Sequence, residues 1–181
     1  FETREQLLKL FHFSSGKGKN VIFTPNITTS LNVLLKGLLK PGDHVLVTSM
    51  EHNAVMRPLV QLTGQGVIFD RIPCTSDGSL LLEQAKKLLT PRTRLLVCLH
   101  ASNVCGTIMP AREIGQFCRE HGLLFILDTA QTAGTIPVDM EDFQISALAF
   151  TGHKGLRGPQ GTGGFLIRSE LVSQIDPLLS G

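Results

Sequence analysis

What this chain lacks narrows its function first. No uninterrupted apolar stretch approaches the roughly 20 residues a helix needs to cross a bilayer, and the opening residues Phe1 to Glu5 do not have the layout of a signal peptide. A soluble, cytoplasmic protein is therefore expected. Lys and Arg number 17 but are scattered, so there is no polybasic stripe for nucleic acid or an anionic membrane, and the formal charge of +2 favours neither partner. Cys-x-x-Cys pairs are absent as well. Cys74, Cys98, Cys105 and Cys118 stand alone, which leaves no zinc knuckle or thioredoxin-type redox pair and reads as buried free thiols. The six histidines have no Cys or carboxylate neighbours at ligand spacing, so no metal site is expected. The glycine-rich stretch 158–164 matches neither Gly-x-x-x-x-Gly-Lys-Ser/Thr nor a complete Gly-x-Gly-x-x-Gly, which argues against a nucleotide loop.

What is present is the composition of a folded domain. Apolar residues at 42% and charged residues at 18% argue against disorder, and 181 residues suffice for one self-supporting core. The 18 glycines point to tight turns or close backbone approaches. From Val21 onward, short β-rich runs alternate with stretches of helical period. Strands are expected at 21–23, 45–47, 67–69, 95–99, 123–127, 147–150 and 164–167, and helices at about 28–39, 54–64, 80–89 and 110–121. Stops such as Lys40-Pro41-Gly42-Asp43 and His121-Gly122 fall between them, and Ser169 is placed to cap a closing helix. Several strands are apolar throughout, as a parallel sheet covered on both faces requires. The expected fold is α/β, a three-layer sandwich around a mainly parallel central sheet.

Ligands of such a sheet gather where strands end and loops lead into helices. Polar residues are dense at those points: 24–29, 49–53, 100–103, 128–131 and 151–154. Thr28-Thr29 opens a helix, where free N–H groups and the helix dipole suit a phosphate; alternatively one threonine simply caps the helix. Asp128 leaves the apolar run 123–127, so its carboxylate needs a cationic or hydrogen-bonding partner, and a protonated pyridine nitrogen is one; capping the next helix is the other reading. Lys154 follows Phe150-Thr151-Gly152-His153 and precedes the pliable glycine-rich stretch. Its amine is either a solvated surface group or one that condenses with an aldehyde and then moves protons. His52 enters a helix and either stacks on a flat cofactor and exchanges a proton, or makes a structural hydrogen bond.

Together these residues resemble the class V aminotransferase group, especially the cysteine desulfurases and selenocysteine lyases. The resemblance runs from Val21 to Ile167. It is carried by Thr28-Thr29 with Asn32, Met50-Glu51-His52-Asn53, Ser102-Asn103-Val104-Cys105-Gly106-Thr107, Asp128-Thr129-Ala130-Gln131 and Thr151-Gly152-His153-Lys154. It implies the large domain of an aspartate aminotransferase-like, pyridoxal 5'-phosphate (PLP) dependent transferase. Lys154 would then carry the cofactor, Asp128 would face its pyridine nitrogen and Gln131 its phenolic oxygen. His52 would stack on the ring, with Lys154 and His52 the catalytic pair. Thr29, the backbone around Thr28, Thr151 and His153 would hold the phosphate, and Asn103 would sit beside the cofactor oxygen and the substrate carboxylate.

The implied activity is release of sulfur from cysteine, leaving alanine, with a homodimer and a sulfur-acceptor protein as partners. Other class V reactions, and an inactive assembly module, are the alternatives. Two departures stand out. Ser30 replaces the family's usual Glu after the phosphate threonine. The 181 residues also show no small C-terminal domain with a substrate-binding arginine and mobile cysteine, so a fragment of a longer chain is expected. Cys105 lies where relatives often have a non-nucleophilic residue and is not assigned the persulfide role.

Overall fold

Successive residues of a strand face opposite sides of a sheet. When both kinds of position are apolar, the sheet must be covered twice, and this chain does so. In a computed structural model, residues 2–178 are described. They form α1 (Glu2–Leu10), β1 (Val21–Thr24), α2 (Ile27–Leu38), β2 (His44–Thr48), α3 (Asn53–Thr63), β3 (Ile68–Ile72), α4 (Ala85–Leu88), β4 (Thr93–Leu99), α5 (Ala111–Glu120), β5 (Leu124–Asp128), β6 (Ala147–Thr151), β7 (Gly163–Ile167) and α6 (Ser169–Val172).

The seven strands join in the order β1-β7-β6-β5-β4-β2-β3. β2, β3, β4, β5 and β6 pair in parallel, and β7 runs antiparallel to both β6 and β1. β1 is therefore aligned with the parallel set, and six of the seven strands end at one edge. Val45, Val47, Leu95, Val97, Ile126, Ala147 and Ala149 pack with α2, α3 and α6 on one face. Leu46, Leu96, Cys98, Phe125, Leu127 and Leu148 pack with α1 and α5 on the other. This is the expected three-layer arrangement. β1 and β3 are its edges, which is why Phe23 and Ile68 are half exposed.

Four local expectations are corrected. Helix α1 precedes the first region read as structured; it buries Leu7 and Leu8, and Phe11 packs just beyond it. The segment 80–89 is not one helix. Leu80 bridges Cys74, and the amide of Leu81 donates to Pro73, so only a 3-10 turn and the single turn α4 remain. Ser169 is the first residue inside α6, whose cap is Arg168; the Ser169 hydroxyl accepts from Asn20 Nδ2 at 3.0 Å instead. Cys105 is exposed and Cys74 half-buried, so only Cys98 and Cys118 are the buried thiols expected. No helix among the described residues is long and apolar enough to cross a membrane.

Candidate functional site

The shared strand edge holds a cavity of about 220 Å³. Of the nine residues singled out from sequence, it gathers eight: Thr28, His52, Asn103, Asp128, Gln131, Thr151, His153 and Lys154. They arrive from five separate strand ends, which is how residues 126 positions apart come to share one space. Thr29 is the ninth and does not line it. Its amide and hydroxyl both turn back to Asn26 Oδ1, at 2.9 and 3.1 Å.

Asn26, not a threonine, is thus the cap of α2. Asparagine is among the best residues there because its side-chain oxygen accepts one of the first helical N–H groups. The N–H groups of Ile27 and Thr28 lie ahead of any intrahelical acceptor, and both residues line the cavity. The positive end of a 12-residue helix therefore opens into the site. Ser30 supports this loop from within: it is fully buried, and its hydroxyl pairs with Thr24 Oγ1 at 2.8 Å. Gly163 lets β7 lie flush against the same loop, since a Cβ there would come within 2.8 Å of Asn26 Cα.

Asp128 ends β5 and is 4% exposed. Its Oδ1 accepts from the Ala130 amide at 2.8 Å, holding a turn, while its Oδ2 finds no donor among the described residues. Burial pushes this carboxyl above the usual range, opposed by the Ala130 amide and by the neighbouring His52 and Lys154. His52 caps α3, its Nδ1 accepting from the Ala54 amide at 3.0 Å. A backbone amide can only donate, so Nδ1 is the bare nitrogen and Nε2 carries the proton of the neutral ring. Lys154 is exposed at the cavity, with no carboxylate within ion-pair distance among the described residues. Thr151 Oγ1 and His153 Nδ1 lie 3.2 Å apart on its approach.

Sequence reasoning missed Asn26, Ile27, Leu99, Ala101 and Ala130 as lining residues. Asn26 was legible from cap preference, standing before Ile27-Thr28-Thr29; the others are apolar and carry no polar side-chain signal. It also gave Glu51 no role. That residue's Oε1 accepts from Thr48 Oγ1 at 2.6 Å and from the Leu99 amide at 3.1 Å, while its Oε2 is sealed from solvent with no partner among the described residues. No group of three or more potential metal ligands occurs among the described residues.

The fold and the cavity define a class, and comparison with known proteins agrees: the Aminotransferase class-V family model matches residues 1–181, so the chain belongs to that family. Within it, the chain is 33% identical over 184 residues to the probable mitochondrial cysteine desulfurase of Dictyostelium discoideum, covering 99% of this chain and 40% of that protein. It is likewise 33% identical to the cysteine desulfurase IscS of Rickettsia akari, covering 99% and 44%. The chain thus spans less than half the length of these relatives. Among solved structures, the apo cysteine desulfurase of Thermococcus onnurineus NA1 superposes with a TM-score of 0.91 at 32% identity, over 99% of this chain and 45% of that one. The cystine C-S lyase C-DES, in complex with its product cysteine persulfide, gives 0.88 at 28% identity, over 98% and 48%. The resemblance and the fold class expected from sequence are borne out.

Proposed function

We propose that these residues form the cofactor site of a PLP-dependent enzyme that takes sulfur from cysteine and leaves alanine. The observation that carries the reading is a convergence: a lysine amine, a buried carboxylate and an open helix N-terminus meet in one cavity. The donor set fits the cofactor at each end. The N–H groups of Ile27 and Thr28, with the Thr28 hydroxyl, suit a phosphate. Asp128 Oδ2, without a protein donor, suits a protonated ring nitrogen, and that cation would offset the burial penalty the carboxylate now bears. The sulfur chemistry named for the relatives supports cysteine as substrate.

When bound, PLP supplies an electron sink for charge developing at the substrate's α carbon. The chain's own groups do the rest. Asp128 would keep the ring nitrogen protonated, and Gln131 lies on the same turn, suited to the ring's phenolic oxygen. His52 is held by its cap bond in one orientation, which suits stacking on a flat ring and leaves Nε2 as its exchanging position. Lys154 would provide the amine that holds the cofactor, and the same amine would serve to move a proton at the α carbon. Asn103 is placed for a carboxylate at the rim. The thiolate that accepts sulfur is not assigned to Cys105. Because the chain spans 40–44% of those relatives, the reading gives cofactor capture to these residues and turnover to the whole protein, as a homodimer handing sulfur to an acceptor.

The test is alanine formation from cysteine by the complete protein, with Lys154→Ala beside it. Alanine appearing with PLP and vanishing in the variant supports the proposal. Turnover of another amino acid, with cysteine untouched, moves the chain to a different class V reaction.

A further inference from the structure

Two carboxyl groups are buried at this strand edge, and the proposed chemistry uses only Asp128. Glu51 precedes His52 on the turn from β2 into α3, but its side chain points inward. β2 stops at Thr48, so the Leu99 amide at the end of β4 has no strand partner on that side. Glu51 Oε1 takes its place as acceptor and simultaneously accepts from Thr48 Oγ1. It thereby bridges two strands where the sheet opens into the cavity. Leu99 lines that cavity and is the register partner of Asp128.

The two carboxyls differ in what surrounds them. Asp128 has His52 and Lys154 beside it, both lining the same cavity, and one oxygen without a donor among the described residues. Glu51 has no ion-pair partner among the described residues: the groups acting on it are Thr48 from β2, Leu99 and the neutral, buried Cys98 thiol from β4, and Asp128 itself from β5. Its Oε2 is sealed and unpaired. An ionised carboxylate would leave that oxygen's charge unsolvated beside a second anion. We propose that Glu51 is held as a neutral carboxylic acid that ties the ends of β2 and β4 together, so that Asp128 is the one carboxyl left facing the cavity. Such a pair divides its protonation states by environment. Burial, with Asp128 adding to it, raises the Glu51 carboxyl to about 8 against the bonds from Thr48 and Leu99. Glu51 is then a positioning residue: it sets the strand end that carries the site and leaves Asp128 Oδ2 as the carboxyl oxygen that would face a cofactor. The proposal rests on the cofactor reading for the meaning of Asp128 alone, and its test needs no cofactor.

The chain without added PLP, labelled with carboxyl ¹³C only in glutamate, is followed by infrared or NMR spectroscopy from pH 5 to 10. One glutamate carboxyl signal is expected to stay protonated at pH 7, to titrate near 8, and to be missing in Glu51→Gln. Glu51→Gln keeps an acceptor for Leu99 and should melt close to the parent at pH 7, whereas Glu51→Ala leaves that amide unpaired and should melt lower. No protonated glutamate at pH 7, or one that persists in Glu51→Gln, overturns the proposal. So does a Gln variant that melts as low as the Ala variant, because the anion would then have been the required form. All these readouts stand whether or not the chain captures PLP.

Discussion

Gly155 follows Lys154 and packs against the turn that leaves Asp128, so two sides of the cavity meet across it. A Cβ at Gly155 would lie 2.4 Å from the Ala133 carbonyl oxygen and 2.7 Å from Thr135 Cγ2. Ordinary contact begins near 3.4 Å, so Gly155→Ala forces one loop off the other by about 1 Å. Gly155 is not at positive φ, so the cost is steric alone. Overpacking of this kind costs about 1–3 kcal/mol. At roughly 2–4 °C per kcal/mol for a chain of this size, the melting temperature should fall by about 2–12 °C. Displacing a reacting group by 1 Å costs on the order of 100-fold in rate, so capture of PLP by Lys154 should slow by about that factor. Calorimetry and the growth of the visible band of the lysine-linked cofactor read the two effects. Gly161→Ala is the control: φ is +79° with nothing within 4 Å of the added carbon, so it strains the backbone by about 1–2 kcal/mol and leaves Lys154 in place. A Gly155→Ala protein with the parent's melting point and capture rate would refute the packing argument.

Other outcomes follow from the same geometry. The Glu51 carboxyl is raised to about 8 from an ordinary 4.5, so unfolding releases its proton throughout that window. Stability should be free of this penalty below pH 4.5 and fall as pH rises to 8, by up to about 5 kcal/mol. Denaturant melts of Glu51→Gln should show a flatter profile; a parallel profile contradicts the assignment. Asn26→Ala removes the α2 cap and should cost about 1 kcal/mol, measurable by urea melts, with Thr29 losing both of its bonds. Cys105 is exposed, and hydrogen bonds from Ser102 and Thr107 lower its thiol to about 7, so it should alkylate first, with a midpoint near pH 7. Cys98 and Cys118, buried and raised, should stay silent until the chain unfolds, as peptide mass mapping would show.

Most strands were legible because Val45 to Val47, Leu95 to Leu99 and Phe125 to Leu127 are apolar at every position, and only a doubly covered sheet accommodates that. The site was legible because its polar residues cluster just past those runs. What escaped depended on tertiary partners. Leu80 has helical neighbours in sequence, yet it bridges Cys74 while Pro73 takes the amide of Leu81. Ser169 looks like a cap until Asn20 arrives from 149 residues away. Thr28 and Thr29 are equivalent in sequence, and only the position of Asn26 turns one to the cavity and the other away. Glu51 sits beside a residue of obvious interest, but nothing in its sequence shows that its carboxyl turns into the sheet.

The most direct measurement of the central claim is the visible absorption spectrum of the chain mixed with PLP, beside Lys154→Ala. A band from the lysine-linked cofactor in the parent, absent in the variant while both proteins remain folded, is the predicted result. The same band in both, or in neither, would contradict the assignment of Lys154 and the cavity to that cofactor.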